Sequence, residues 1–145
     1  MAPLKAVTLP KLKPFKLTMQ IPTEHQTQSA FINWLRIYEK HYPELRLGFA
    51  VPNGGARNIV TACKLKAEGV RSGIPDYMLP FPRGGYSGLA IEFKRERTGK
   101  LSDTQIAYIE QLEREGKWLV HVLTDWHAAT EVVLGYLALP KPAAT

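Results

Sequence analysis

The sequence predicts an α/β domain in which a mixed central sheet is flanked by helices. Stretches of helical apolar period, opened by capping residues, alternate with short apolar runs bounded by Gly and Pro. Their order reads helix, strand, inserted helix, strand, strand, helix, strand, helix, which is the pattern of one sheet with helices packed against it. The scale agrees: 145 residues with 45% hydrophobic and 22% charged side chains make one globular domain and exclude disordered, collagen-like and coiled-coil readings.

Residues 1–22 read as a basic arm. Lys5, Lys11, Lys13 and Lys16 stand there without an acidic residue, and Pro3, Pro10, Pro14 and Pro22 forbid a helix through it. The domain proper is expected over 23–139, with 140–145 as a tail. Thr23 and Gln26 form a capping box for a helix whose apolar stripe is Phe31, Trp34, Leu35 and Tyr38, and Pro43 ends it. A strand is expected from Leu45 to Val51, then a turn at Pro52, Asn53, Gly54 and Gly55, then a helix from Arg57 to Glu68 stopped by Gly69. Strands at Tyr77 to Phe81 and Leu89 to Lys94, joined through Pro82, Arg83, Gly84 and Gly85, are expected to pair antiparallel. Ser102 and Gln105 form a second capping box, Leu101 and Ile106 a hydrophobic staple, and Ile106, Ile109 and Leu112 the core face of the helix that Gly116 closes. Trp118 to Leu123 reads as a short buried strand. Asp125 caps a last helix carrying Ala129, Val132, Val133 and Tyr136, which Pro140 ends.

The 19 Lys and Arg against 13 Asp and Glu give a formal charge of +6, which favours a polyanionic partner, and the lysines of the arm would add nonspecific attraction to phosphate. The single cysteine, Cys63, permits no internal disulfide, and no Cys/His cluster offers a zinc site. No apolar run approaches the ~18 residues of a membrane span, so the expectation is a soluble, intracellular protein without a membrane partner, cytoplasmic if its source is a bacterium or phage.

The segment Leu89 to Lys94 carries the chemistry. Leu89, Ile91 and Phe93 point to one face and are expected to bury, while Glu92 and Lys94 emerge together on the other, ~6–7 Å apart at their Cα atoms. Antiparallel pairing brings Asp76, at the start of the neighbouring strand, close to both. A Glu and a Lys so spaced are by themselves an ordinary surface ion pair. With Asp76 they become two hard oxygen ligands on rigid strands, suited to Mg²⁺, beside an ammonium able to orient a water or stabilise charge growing on a phosphate.

Asp76 after Pro75, with Glu92, Phe93 and Lys94, resembles the PD-(D/E)xK nuclease signature. Glu24 and Gln26 at the first helix, the Pro52, Asn53, Gly54 and Gly55 loop, Gly69, Gly73 and Ile74 before Pro75, and Leu101, Ser102 and Gln105 narrow the resemblance to the VRR-NUC nuclease family over residues 23–137. The resemblance implies a restriction-endonuclease-like αβββαβ core with an inserted helix after the first strand. It implies Glu24, Asp76, Glu92 and the Phe93 carbonyl around Mg²⁺ or Mn²⁺, Lys94 at the nucleophilic water, and Gln105 beside them. Gln105 is equally explained by its capping box, and Glu24 by the helix dipole. The implied activity is metal-dependent DNA hydrolysis, and stand-alone members resemble homodimers acting on branched DNA such as four-way junctions. A monomeric flap or single-strand-junction endonuclease and a catalytically idle DNA-binding module are the alternatives. Asn53, Gly54 and Gly55 are candidates for close approach to the DNA backbone, though a turn needing positive φ also explains them. Arg57, Lys64, Lys66 and Arg71 are a candidate phosphate track. His25, His41, His121 and His127 lack ligand spacing and receive no role.

Overall fold

The computed structural model describes residues 20–53 and 58–143. Residues 1–19 of the basic arm, together with Gly54, Gly55 and Arg57, lie outside the described residues. Helix α1 (Glu24–Tyr38) starts at the capping box: Gln26 N–H donates to Thr23 Oγ1, and Thr23 N–H donates to Gln26 Oε1. Phe31 and Leu35 are buried, and Trp34 stacks on Tyr38 with ring centroids 4.4 Å apart at the border of the core.

The strand expected at Leu45 to Val51 is mostly something else. Pro43–Leu47 is a single 3-10 helix, and β1 is only Phe49–Ala50. Proline at the first position sets the tight turn, Leu45 plugs into the core, and Gly48 then passes beneath a tyrosine ring. A Cβ at Gly48 would lie 1.9 Å from the Tyr77 hydroxyl, so the chain must clear that ring before it can pair.

Helix α2 (Ile59–Ala67) begins two residues later than the pattern predicts, because Asn58 caps it by accepting the Val60 N–H at 2.7 Å. It ends as expected at Gly69, whose φ of +96° lets Gly69 N–H reach the Lys66 carbonyl and Val70 N–H the Leu65 carbonyl. None of its residues is buried, so α2 stands off the core.

Strands β2 (Tyr77–Leu79) and β3 (Gly88–Phe93) pair antiparallel as expected, with Tyr77 opposite Ile91 and Leu79 opposite Leu89. Helix α3 (Asp103–Arg114) crosses over to β4 (Trp118–Leu123), which lies parallel to β3, and α4 (Trp126–Leu137) follows. The sheet order is β1-β2-β3-β4, a mixed sheet flanked by helices, as predicted.

On one face of the sheet Tyr77, Leu79, Leu89, Ile91 and Phe93 meet α1 and α4; the Phe31 ring sits 5.1 Å from Tyr77 and 5.4 Å from Phe93. The opposite face carries Met78, Ala90 and Glu92, which are buried as well. Glu92 is 1% exposed and Lys94 12%, so the expectation that this pair emerges into solvent is corrected. Alternation along a strand marks two faces but not whether both are covered, and here Lys94 and Gln105, near the start of α3, close over Glu92 on the second. Two smaller corrections share one cause. β4 is the outer strand, so it is half-buried with Val122 43% exposed, and Ile106 on α3 is 41% exposed because that helix packs on β4 rather than over the sheet centre. Among the described residues no helix is long and apolar enough to cross a membrane.

Candidate active site

The candidate residues gather at the carboxyl end of β3, where open α/β sheets characteristically bind ligands. Asp76 precedes β2 and therefore faces the end of β3 across the antiparallel pair. Its Oδ2 accepts the Phe93 N–H at 2.9 Å, and its main-chain carbonyl accepts the Val51 N–H at 2.8 Å. Asn53 Nδ2 donates to the Ile74 carbonyl and stands 3.5 Å from Asp76 Oδ1. The segment leading into Asp76 is pressed against α3: Gly73 has φ +87°, and a Cβ there would come 2.4 Å from the Thr104 carbonyl oxygen.

Glu92 is held mainly through one oxygen. Lys94 Nζ lies 2.7 Å from Glu92 Oε1, and Gln105 Nε2 donates to the same oxygen, whereas Oε2 is buried without a hydrogen-bond partner. The two sequence readings of Gln105 are both met, because its Oε1 accepts the Ser102 N–H at 2.9 Å while its amide nitrogen serves Glu92. Burial raises the Glu92 carboxyl above its ordinary range against the pull of Lys94; the Asp76 carboxylate adds to the rise and the Asp76 main-chain N–H opposes it. Burial likewise raises Asp76, opposed by the Phe93 N–H, Asn53 and Lys94 and reinforced by Glu24.

Glu24, at the first position of α1, accepts the Arg95 N–H at 2.9 Å, which docks the helix start onto the chain leaving β3. Glu24, Asn53, Asp76, Glu92, Lys94 and Gln105 all line one cavity of about 810 Å³. Among the described residues no group of three His, Cys, Asp or Glu side chains is arranged to hold a metal ion. Asp76 and Glu92 still offer two hard carboxylates, and the orphaned Glu92 Oε2 is a buried acceptor lacking the partner such atoms require. That donor set fits Mg²⁺ or Mn²⁺, which keeps waters in most of its positions. The Phe93 ring is in the core, and its N–H is the atom turned to Asp76.

The candidate DNA-binding residues divide. Asn53 faces Asp76, Lys66 and Arg71 line a neighbouring cavity, and Lys64 is exposed on α2 outside both. Two polar residues of the cavity were not predicted, His25 and Gln28; the Gln28 amide stands 3.5 Å from the Asp76 carbonyl oxygen. Gln28 follows Glu24 by four residues, hence on the same helix face, and that spacing was a usable signal.

The VRR-NUC domain family model matches residues 15–124. A solved structure described as a VRR_NUC domain protein superposes with a TM-score of 0.71 at 27% sequence identity, covering 85% of this chain and 94% of that one. No curated protein matches the chain. The mixed sheet, the paired carboxylates beside a buried lysine and this match over most of the length converge: the chain belongs to the VRR-NUC domain family, a family of nucleases.

Proposed function

We propose that the protein is a Mg²⁺- or Mn²⁺-dependent DNA endonuclease that hydrolyses phosphodiester bonds, acting as a homodimer on branched DNA such as a four-way junction. The observation that carries the catalytic reading is the half-satisfied Glu92: one oxygen is held by Lys94 and Gln105, and the other is buried without a partner beside Asp76. A protein that only bound DNA would gain nothing from a buried carboxylate left in that condition.

Asp76 and Glu92 would hold the cation, with Glu24 at the cavity wall. When bound, the cation supplies Lewis acidity to a phosphate oxygen and makes water more acidic. The protein's own residues do the rest. The Phe93 N–H and Asn53 orient Asp76, and Gln105 fixes the Glu92 rotamer from a helix start that is itself capped. Lys94, almost wholly buried, presents its ammonium at the cavity wall, where it counters the negative charge that builds as water oxygen bonds to phosphorus and one ester P–O bond breaks. The dimer and branched-substrate parts of the proposal rest on the small size of the domain, which presents one active site and little surface to grip a duplex, and on the family resemblance.

The test is a panel of labelled four-way junction, flap, single-stranded and linear duplex DNAs, each with Mg²⁺, Mn²⁺ or EDTA. Junction cleavage that needs metal and vanishes in Asp76→Ala and Glu92→Ala is expected, with sedimentation reporting a dimer. Equal cutting of linear duplex would remove the branched-DNA specificity, and cutting in EDTA would remove the metal.

A further inference from the structure

Beside the candidate active site lies a second cavity, of about 660 Å³, between α2 and α3. Pro52 and Asn53 line both cavities, so the two adjoin. Among the described residues that line the second, none is acidic; Lys66 and Arg71 give it positive charge, Leu65 and Val70 give it apolar wall, and Tyr108 gives it an aromatic ring. Its volume falls in the range of small-ligand sites, ~300–1,000 Å³.

The sequence builds this cavity deliberately. The left-handed Gly69 turns the chain back from α2, and Gly73, crowded against the Thr104 carbonyl, fixes the intervening segment on the start of α3. Tyr108 is one helical turn beyond Thr104, so its half-buried ring comes next along the same face and lines the cavity with Arg71.

We infer that this cavity receives an unpaired nucleotide of the strand being cut, its base stacked on Tyr108 and its phosphates met by Lys66 and Arg71. The inference rests on the nuclease reading and narrows its substrate class. Cations alone would suit any phosphate backbone. A tyrosine ring between apolar walls needs an exposed base face, and a base inside a duplex offers only its edges because both faces are stacked. The wall shared at Asn53 puts this nucleotide next to the phosphate at Asp76 and Glu92.

The experiment measures binding of a fluorescent single-stranded oligonucleotide and of the matching blunt duplex by anisotropy, with EDTA present so that nothing is cut. Relative to the unaltered chain, Tyr108→Ala and Tyr108→Leu should each weaken single-strand binding about tenfold and duplex binding less than about twofold, while Tyr108→Phe stays within about twofold on both. Lys66→Ala should instead weaken both DNAs and flatten the salt dependence by about one phosphate contact. Two substitutions guard against a folding defect, and thermal melts accompany them. If the unaltered chain binds single strands and both Tyr108→Ala and Tyr108→Leu bind them as well, or lose both DNAs equally, the cavity is not a base site. If the unaltered chain binds neither DNA at low salt, the nuclease reading itself fails.

Discussion

Replacing Lys94 by alanine tests the site through stability rather than turnover. At 2.7 Å the Lys94 and Glu92 charges attract by about 6 kcal/mol at an effective dielectric of about 20, an amount that desolvation of both groups largely offsets. Taking away the ammonium leaves the Glu92 carboxylate with its burial penalty and no counter-charge, a change that costs about 3–5 kcal/mol in buried pairs. Gln105 still donates to Glu92 Oε1, which favours the lower end, about 3 kcal/mol, or a fall in melting temperature of about 6–12 °C for a domain of this size. The deficit should depend on pH. Burial already raises the Glu92 carboxyl above its ordinary value of 4.5, and losing Lys94 raises it further. The folded variant then holds a proton that the unfolded chain has released, so its stability falls as pH rises from the ordinary glutamate range through the folded value. Melts at about pH 5 and about pH 8 should therefore show a small deficit and a large one, and Glu92→Gln added to Lys94→Ala should recover part of the loss. A Lys94→Ala protein that melts within about 2 °C of the unaltered chain at both pH values would refute the buried-pair argument.

The raised carboxyls make the metal-free protein less stable as pH climbs through their folded values, so urea midpoints in EDTA should fall across that window, and Asp76→Asn should flatten the fall. Mg²⁺ or Mn²⁺ should raise the melting temperature of the unaltered chain and not that of Asp76→Asn; a melt indifferent to both cations contradicts the carboxylate pair as a metal site. Gly73→Ala combines a left-handed backbone with a clash on the Thr104 carbonyl and should cost about 3 kcal/mol in denaturant unfolding, with a loss below about 1 kcal/mol counting against that packing. Arg83 is buried, paired with Glu44 at 3.3 Å, donating to the Leu137 carbonyl at 3.3 Å and lying 4.3 Å over the Phe81 ring. Arg83→Met should lower stability by about 3 kcal/mol, and an unchanged midpoint would make that network decorative.

What was legible in the sequence was local. Capping boxes at Thr23 and Ser102 placed two helices because their hydrogen bonds span three residues, and Gly69 marked its helix end because few other residues adopt φ +96°. Asp76, Glu92 and Lys94 were legible as a group because a hairpin joins their strands. The illegible parts depend on distant partners. Leu45 to Leu47 looks like a strand until Tyr77, some thirty positions on, is found above Gly48. Arg83 reads as a turn residue, and its burial is decided by Glu44 and the end of α4. The covering of Glu92 by α3, and the openness of Val122 and Ile106 at the sheet border, follow from which strand ended up outermost, which no window of residues contains.

The hydrogen bond from Phe93 N–H to Asp76 Oδ2 has a bearing on how the chain tolerates change. Asp76 stands just before β2 and Glu92 lies within β3, so their separation is inherited from the connection at residues 80–87, at the opposite end of the pair from the chemistry. One residue inserted there would have to be absorbed as a bulge in the loop; otherwise β3 would advance by one position and swing Glu92 to the face that now carries Phe93. With only three residues, β2 has little else to hold its phase. The carboxylate that serves the cavity is thereby also the clasp that keeps the two strands in step, and the hairpin tip can vary in side chains far more freely than in length.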